Sequence, residues 1–445
     1  MTRIYFVFTC FLIIVCSCTA QSELPVTKED PFYKVFSEQE YLADLDELAN
    51  TLTETHPLPY KFTSKEDFWK TVAHQKSRVT DSTSLSDFIW YCSAIIANIG
   101  CSHTSLGYFN QEDRMLPVSL RFPMEAKIID NRWYVSDPLV NTGNVMAGDE
   151  IFSINGVPVE EIKGNIYAHI AAQAKNTSYK RLLLNGFFTA YIPYALGFPE
   201  NYQVVVKGKE NPIALSQLSE YKYKPRIDPK AACQDRLCLN VLEGNDTAIL
   251  TVRSFAFYGQ EKMKIFKSFI DNSFEEILAK GVKNLVIDLR MNNGGSAYAG
   301  IHLLQYVMSE PFIYFAQEAD GEDFKNTITP FADSYTGKTY VLIDGEGTST
   351  TGHFLSLVKQ KDSATLIGEE AGSNYVCTAN QRRGVRLSNT GISFSVARNT
   401  YLTTAQDFPE DRGILPDHNV VQSIEDLLNH QDTVMNYTLA LIKSK

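Results

Sequence analysis

His103 stands in Gly100-Cys101-Ser102-His103-Thr104, Ser349 in Gly347-Thr348-Ser349-Thr350-Thr351-Gly352, and Glu410 at the head of Glu410-Asp411-Arg412-Gly413-Ile414-Leu415-Pro416-Asp417. A serine hydroxyl is a poor nucleophile until an imidazole accepts its proton, and a carboxylate can orient that imidazole or brace the loop around it. Base, nucleophile and carboxylate scattered along a chain are what acyl transfer needs once a fold joins them. Asp411 or Asp417 could take the place of Glu410.

Ser349 follows the apolar run Tyr340-Val341-Leu342-Ile343 and precedes a helical pattern carrying Phe354, Leu355 and Val358. A strand-to-helix turn exposes such a hydroxyl in the positive field of the helix N-terminus. The Thr350 N–H can then point at an oxyanion, and Gly294-Gly295, at the end of Asp288-Leu289-Arg290-Met291-Asn292-Asn293-Gly294-Gly295, supplies the second donor most simply. Each such donor lowers an acyl-transfer barrier by roughly 3 kcal/mol. Taken alone, a Ser/Thr-rich turn is more often a helix cap. His353, one helical turn after Ser349 and on the same face, is a rival base; its simpler reading is a polar residue packed beside the sheet. His56, His74, His169, His302, His418 and His430 have no matching partner, and no His-Glu-x-x-His set implies a metal. No cofactor is implied.

Three kinds of periodicity position these residues. Through residues 37–99 the pattern is helical: Tyr41, Leu45, Leu48 and Leu52 share one face. Ser64-Lys65-Glu66-Asp67 resembles a capping box, and an apolar face from Leu85 to Ile99 is stopped by Gly100. His103 thus lies just past a helix end. Residues 116–218 change to short alternating strands, among them 118–122, 132–135 and 202–206, with an aromatic stretch at 187–194. From Asp246 strands and helices alternate (248–252, 260–279, 284–289, 297–308, 339–343, 350–359, 365–367), which predicts βαβ units around a mainly parallel sheet. Ser349 and Gly294-Gly295 both follow strand ends, where such sheets gather their catalytic groups.

With 445 residues, 44% hydrophobic and 21% charged, the chain is long enough for two or three domains and a large core. Its net charge of -11 argues against a nucleic-acid partner. Arg3 precedes an apolar run from Ile4 to Val15, too short for a membrane span and read as a signal peptide. The run ends in Val15-Cys16-Ser17-Cys18, which resembles a bacterial lipoprotein box with Cys18 lipidated; ordinary cleavage near Ala20 is the alternative. Either reading exports the protein to the bacterial cell envelope, and the first tethers it to membrane by a lipid anchor. Of the eight cysteines, Cys233 and Cys238 flank a short polar loop and suit a disulfide, Cys92 falls on an apolar helix face, and Cys101 and Cys377 stand alone.

Two resemblances add to this. Val145-Met146-Ala147-Gly148-Asp149-Glu150-Ile151-Phe152-Ser153-Ile154-Asn155-Gly156 resembles a segment of PDZ domains, modules that can bind a peptide as an added strand. Asp288-Leu289-Arg290-x-Asn292-x-Gly294-Gly295, the Ser349 turn, Leu366-Ile367-Gly368-Glu369 and Gly413-Ile414-x-Pro416-Asp417 resemble, in order and approximate spacing, the S41 family of tail-specific or C-terminal-processing peptidases. In one branch of that family a lysine some twenty-five residues after the serine is the base; here that place falls near Asn374, and no lysine lies between Lys361 and Lys443. The tricorn-like branch uses a histidine near the N-terminal helices and a glutamate before Gly-Val-x-Pro-Asp, which His103 and Glu410 match.

The resemblance implies Ser349 as nucleophile, His103 as general base, Glu410 in support, and an oxyanion hole from Gly294, Gly295 and Thr350 acting on a protein or peptide substrate. Departures are Cys101 where the family has an acidic residue, Gly352 three after the serine, and the missing threonine in Gly368-Glu369-Glu370-Ala371-Gly372. The implied fold is a multidomain α/β (α+β) chain. It comprises a signal peptide with lipobox (1–18), a linker (19–36), a helical bundle carrying the base (37–112), a PDZ-like β module with an insertion (113–222), a second linker (223–245) and a ClpP/crotonase-like α/β catalytic domain (246–445). The contrasting reading is a non-catalytic peptide- or lipid-binding protein on the same scaffold.

Overall fold

The computed structural model describes residues 31–106, 116–223, 226–244, 246–316, 326–380 and 382–444. The leader, Cys18 and the lipobox lie outside them. No described helix is long and apolar enough to cross a membrane.

Helices Glu38–Thr55, Lys65–Lys76 and Leu85–Asn98 form where the apolar spacing predicts them. Each is started by a serine, Ser37, Ser64 or Ser84, whose hydroxyl accepts an N–H of the first turn. They do not stand apart from the β module. Tyr41, Phe88 and Ile95 share one apolar core with Trp133, Ile151 and Val204 of the sheet and with Phe394 and Val396 from the C-terminal half. The end of the expected first linker joins the same core, since Phe32 is buried with its ring 5.1 Å from that of Phe198.

Strands Glu125–Ile129, Arg132–Asp137, Glu150–Ile154, Tyr202–Val206 and Ile213–Leu215 form an antiparallel sheet in that order, with Val157–Pro158 paired to Glu150–Ile154. Asn155 and Gly156, at φ 49° and 78°, make the tight turn that joins Glu150–Ile154 to Val157–Pro158. Residues 118–122 are not the expected strand: Val118–Leu120 is a 3-10 turn behind Pro117, and Phe122 N–H closes on Thr189 O. The aromatic stretch is helical, in Phe188–Leu196, and follows helix Thr177–Gly186.

The second sheet runs His418–Asn419, Thr365–Gly368, Lys338–Ile343, Asn284–Asp288, Thr247–Val252, Leu237–Val241, parallel except for the last. Leu237–Val241 corrects the expected linker: tied to its own approach by the Cys233–Cys238 disulfide, it adds an antiparallel edge strand. Its side chains are half-buried, so no alternation marks it in sequence. Helices Gln260–Ala279, Ala297–Val307 and Thr350–Gln360 pack a core of Phe266, Leu303, Leu304, Phe354 and Leu355. Asp288 and Arg290 brace the glycine loop, with Arg290 Nε and Nη2 each 2.8 Å from a carboxylate oxygen of Asp288 and Nη1 2.8 Å from Asp432.

Candidate active site

Ser349 precedes helix Thr350–Gln360 at φ 56° and ψ −127°. A residue with a side chain holds such a state only when its surroundings dictate it, at about 1–3 kcal/mol. Here the threonines around it do so. Thr348 Oγ1 donates to Asn293 O at 3.2 Å, Thr350 Oγ1 to Gly295 O at 2.7 Å and Thr351 Oγ1 to Asn292 Oδ1 at 2.9 Å. The serine turn is thereby fastened to the glycine loop. Asn292, fully buried and anchored to Val252 O, is the hub of that junction. Its part was not foreseen, because a buried asparagine is indistinguishable in sequence from a turn asparagine.

The two glycines are there for close approach. A β-carbon on Gly294 (φ 90°) would stand 2.7 Å from Ser349 Cβ, and one on Gly295 (φ 143°) would overlap the Phe255 backbone. Their amides differ from expectation. Gly294 N–H donates to Asn292 Oδ1 at 2.9 Å and is turned into the loop. Gly295 and Thr350 keep N–H groups with no acceptor among the described residues.

His103 comes from the other end of the chain. Beyond helix Leu85–Asn98 and Gly100 (φ 69°), Ser105–Leu106 pairs with Ser393–Val396, and Thr104 Oγ1 accepts Ala397 N–H at 3.1 Å. This pairing sews the histidine loop to the C-terminal half. Both candidate groups meet at one sulfur, because Cys377 Sγ lies 3.8 Å from Ser349 Oγ and 3.8 and 4.0 Å from His103 Nδ1 and Nε2. Burial pushes the Cys377 thiol up to about 12, so it stays protonated. A lone cysteine gave no sequence signal of this place.

Glu410 is held by a lysine and a tyrosine. Its carboxylate takes Lys61 Nζ at 2.6 Å and Tyr375 OH at 3.0 Å, and the Lys61 bond holds its pKa below the ordinary value. Asp411 pairs with Lys175, and Asp417 with Lys359 and Leu366 N–H. Asn374 pins the Glu410 segment: its Nδ2 donates to Pro409 O, Glu410 O and Arg412 O, and its Oδ1 accepts from Val376 N–H and Gln173 Nε2.

The rival His353 is buried, its Nε2 without a partner among the described residues. Burial pushes its pKa down to about 3, so it stays neutral. Beneath both loops, Asp344 accepts Met291 N–H at 3.0 Å and Glu346 N–H at 2.9 Å; burial, then the Glu346 charge, raise its pKa to about 7.

Residues 246–420 match the model of peptidase family S41, a likeness carried by the C-terminal domain. A carboxyl-terminal-processing protease of Synechocystis sp. is 24% identical over 157 residues, 35% of either chain. A protein of Chlamydia muridarum is 29% identical over 119 residues, 25% of this chain and 18% of its own length. The chain's matches thus span well under half of these curated relatives. Among solved structures, mature CPAF complexed with lactacystin is 14% identical with a TM-score of 0.59, covering 92% of this chain and 97% of that one. That likeness shows a shared fold over nearly the whole length.

Proposed function

We propose that the chain is an exported serine endopeptidase that hydrolyses peptide bonds through an acyl-enzyme. The observation that carries the reading is the convergence of Ser349, on its strained turn, and His103 upon Cys377 Sγ, beside the amides of Gly295 and Thr350.

His103 takes the Ser349 proton as the oxygen attacks the substrate carbonyl, then returns it to the departing amine. The developing oxyanion is met by Thr350 N–H and Gly295 N–H, both in place before reaction. Gly294 serves by its missing side chain, since its own amide is bound to Asn292. Cys377 Sγ lies against both nucleophile and base, and a turn of the His103 ring, or a shift of strand Val376–Ala379, brings the imidazole onto Ser349 Oγ before the proton is given up. Glu410, clamped by Lys61 and Tyr375, supports the loop that faces the histidine side. The antiparallel sheet 125–215 is read as the PDZ-like module, and Cys18 as the site of a lipid tether in the cell envelope.

Hydrolysis of an unstructured protein such as casein by purified chain tests the reading. Ser349→Ala is expected to abolish cleavage; unchanged cleavage would refute the nucleophile.

A further inference from the structure

The serine turn and the glycine loop are joined by more than the threonines. Asp344 directly follows strand Lys338–Ile343 and precedes Ser349 in the same turn. Its two carboxylate oxygens serve different loops: Oδ2 accepts Met291 N–H at 3.0 Å and Oδ1 accepts Glu346 N–H at 2.9 Å. Its own carbonyl accepts Gly347 N–H at 3.0 Å. Met291 is held at φ 64°, a left-handed state that a residue with a side chain keeps only under constraint. The charges around Asp344 are committed elsewhere. Arg290 pairs with Asp288 and Asp432, and Glu346 with Arg226. Tyr179, on helix Thr177–Gly186, feels the Glu346 charge but stays neutral, its pKa pushed up to about 12 by burial. Among the described residues no cation forms an ion pair with Asp344, and two backbone N–H groups hold its charge.

We infer that Asp344 is a positioning residue for acyl transfer: its ionised carboxylate clasps the glycine loop to the serine turn, and the Gly295 and Thr350 amides stay in register for the oxyanion only while that charge is held. The inference rests on the peptidase reading. A carboxylate has lone pairs for both N–H groups. A protonated carboxyl carries an O–H on one oxygen, so one N–H loses its charged acceptor and the O–H needs an acceptor of its own. An oxyanion hole works through donors fixed before reaction, so slack between the two loops that carry them raises the barrier. Burial, then the Glu346 charge, raise the Asp344 pKa to about 7, with Arg290 acting the other way. The clasp is therefore charged above about pH 7 and is released as pH falls through that value.

The test is the pH profile of purified full chain between about pH 5.5 and 9, read by fluorophosphonate labelling and by kcat and KM on a peptide. Wild type should lose rate on the acid side through two protons, one on the base histidine and one on Asp344. Asp344→Asn keeps the shape and one acceptor but not the charge. It should label and turn over about tenfold slower at about pH 8.5, less than the loss of an oxyanion donor outright, with KM little changed. Its acid limb should follow one proton, and its rate should meet that of wild type near the bottom of the range. Glu346→Gln removes the neighbouring charge and leaves the N–H, so it should label like wild type at about pH 8.5 with its acid limb moved to lower pH. A wild-type to Asp344→Asn ratio that is the same at every pH, or an acid limb that Glu346→Gln leaves in place, overturns the clasp alone. Should Asp344→Asn fail to fold, a wild-type acid limb of one proton overturns it equally. Protein that neither labels nor cleaves at any pH overturns the peptidase reading and the clasp with it.

Discussion

Gly294 lies so near Ser349 that a β-carbon added to it would stand 2.7 Å from the serine's own. No substitution fits without moving the nucleophile. Gly294→Ala is therefore expected to slow fluorophosphonate labelling by a hundredfold or more. Gly208, at φ 79° with open space around it, is the control. Gly208→Ala carries only the backbone strain of about 1 kcal/mol and should label at the wild-type rate. Equal labelling of both variants would remove the close approach from the account.

Cys377 tests whether the sulfur is a spacer between nucleophile and base. Cys377→Ala removes the sulfur that lies 3.8 Å from both groups, and is expected to label at least as fast as wild type. Cys377→Met adds bulk at the same place and should label at least tenfold slower. Loss of labelling in Cys377→Ala with an unchanged Tm would show that the thiol has a chemical part.

Asn374 stands near the place where the lysine-using branch of the family has its base, and here it clamps the Glu410 segment through three carbonyl oxygens. Asn374→Ala leaves the buried Val376 N–H and Gln173 Nε2 without their Oδ1 acceptor and is expected to destabilise by about 2–3 kcal/mol. Glu410→Gln should barely change stability, because an exposed ion pair contributes about 1 kcal/mol or less, while lowering turnover severalfold. Urea unfolding and peptide turnover of the two variants separate these outcomes.

The pH dependence of stability follows from His169 and His353, both buried and both held neutral by burial, with pKa values pushed down to about 3. In the unfolded chain each takes up a proton near its ordinary 6.5, while the folded chain takes none until about 3. Stability is thus intact above pH 6.5 and is lost as pH falls below it. Each group contributes about 1 kcal/mol of that loss between pH 6.5 and 5.5. His353→Phe should flatten the acid side of a Tm-versus-pH curve; a curve as steep as wild type would contradict the assignment.

The parallel sheet and its helices were legible because buried strands and amphipathic helices impose different spacings, and Gln260–Ala279 falls where the spacing puts it. Ser349 and the glycine pair were legible for a related reason, since both follow strand ends of that sheet. What depends on distant pairing was not. Nothing local announces that Ser105–Leu106 will lie against Ser393–Val396, that Asn374 will hold the Glu410 segment, or that Cys377 will touch both serine and histidine. Residues 118–122 show the converse error: their apolar residues satisfy a strand pattern, but Pro117 and the Phe122–Thr189 bond settle them as a turn.

The most direct test of the central claim is the second-order rate of fluorophosphonate labelling in wild type, Ser349→Ala, His103→Ala and His353→Ala. The account predicts a labelled serine at position 349, no labelling of Ser349→Ala, a loss of about a hundredfold or more in His103→Ala, and nearly wild-type labelling of folded His353→Ala. Labelling that survives His103→Ala but disappears in a folded His353→Ala variant would contradict it.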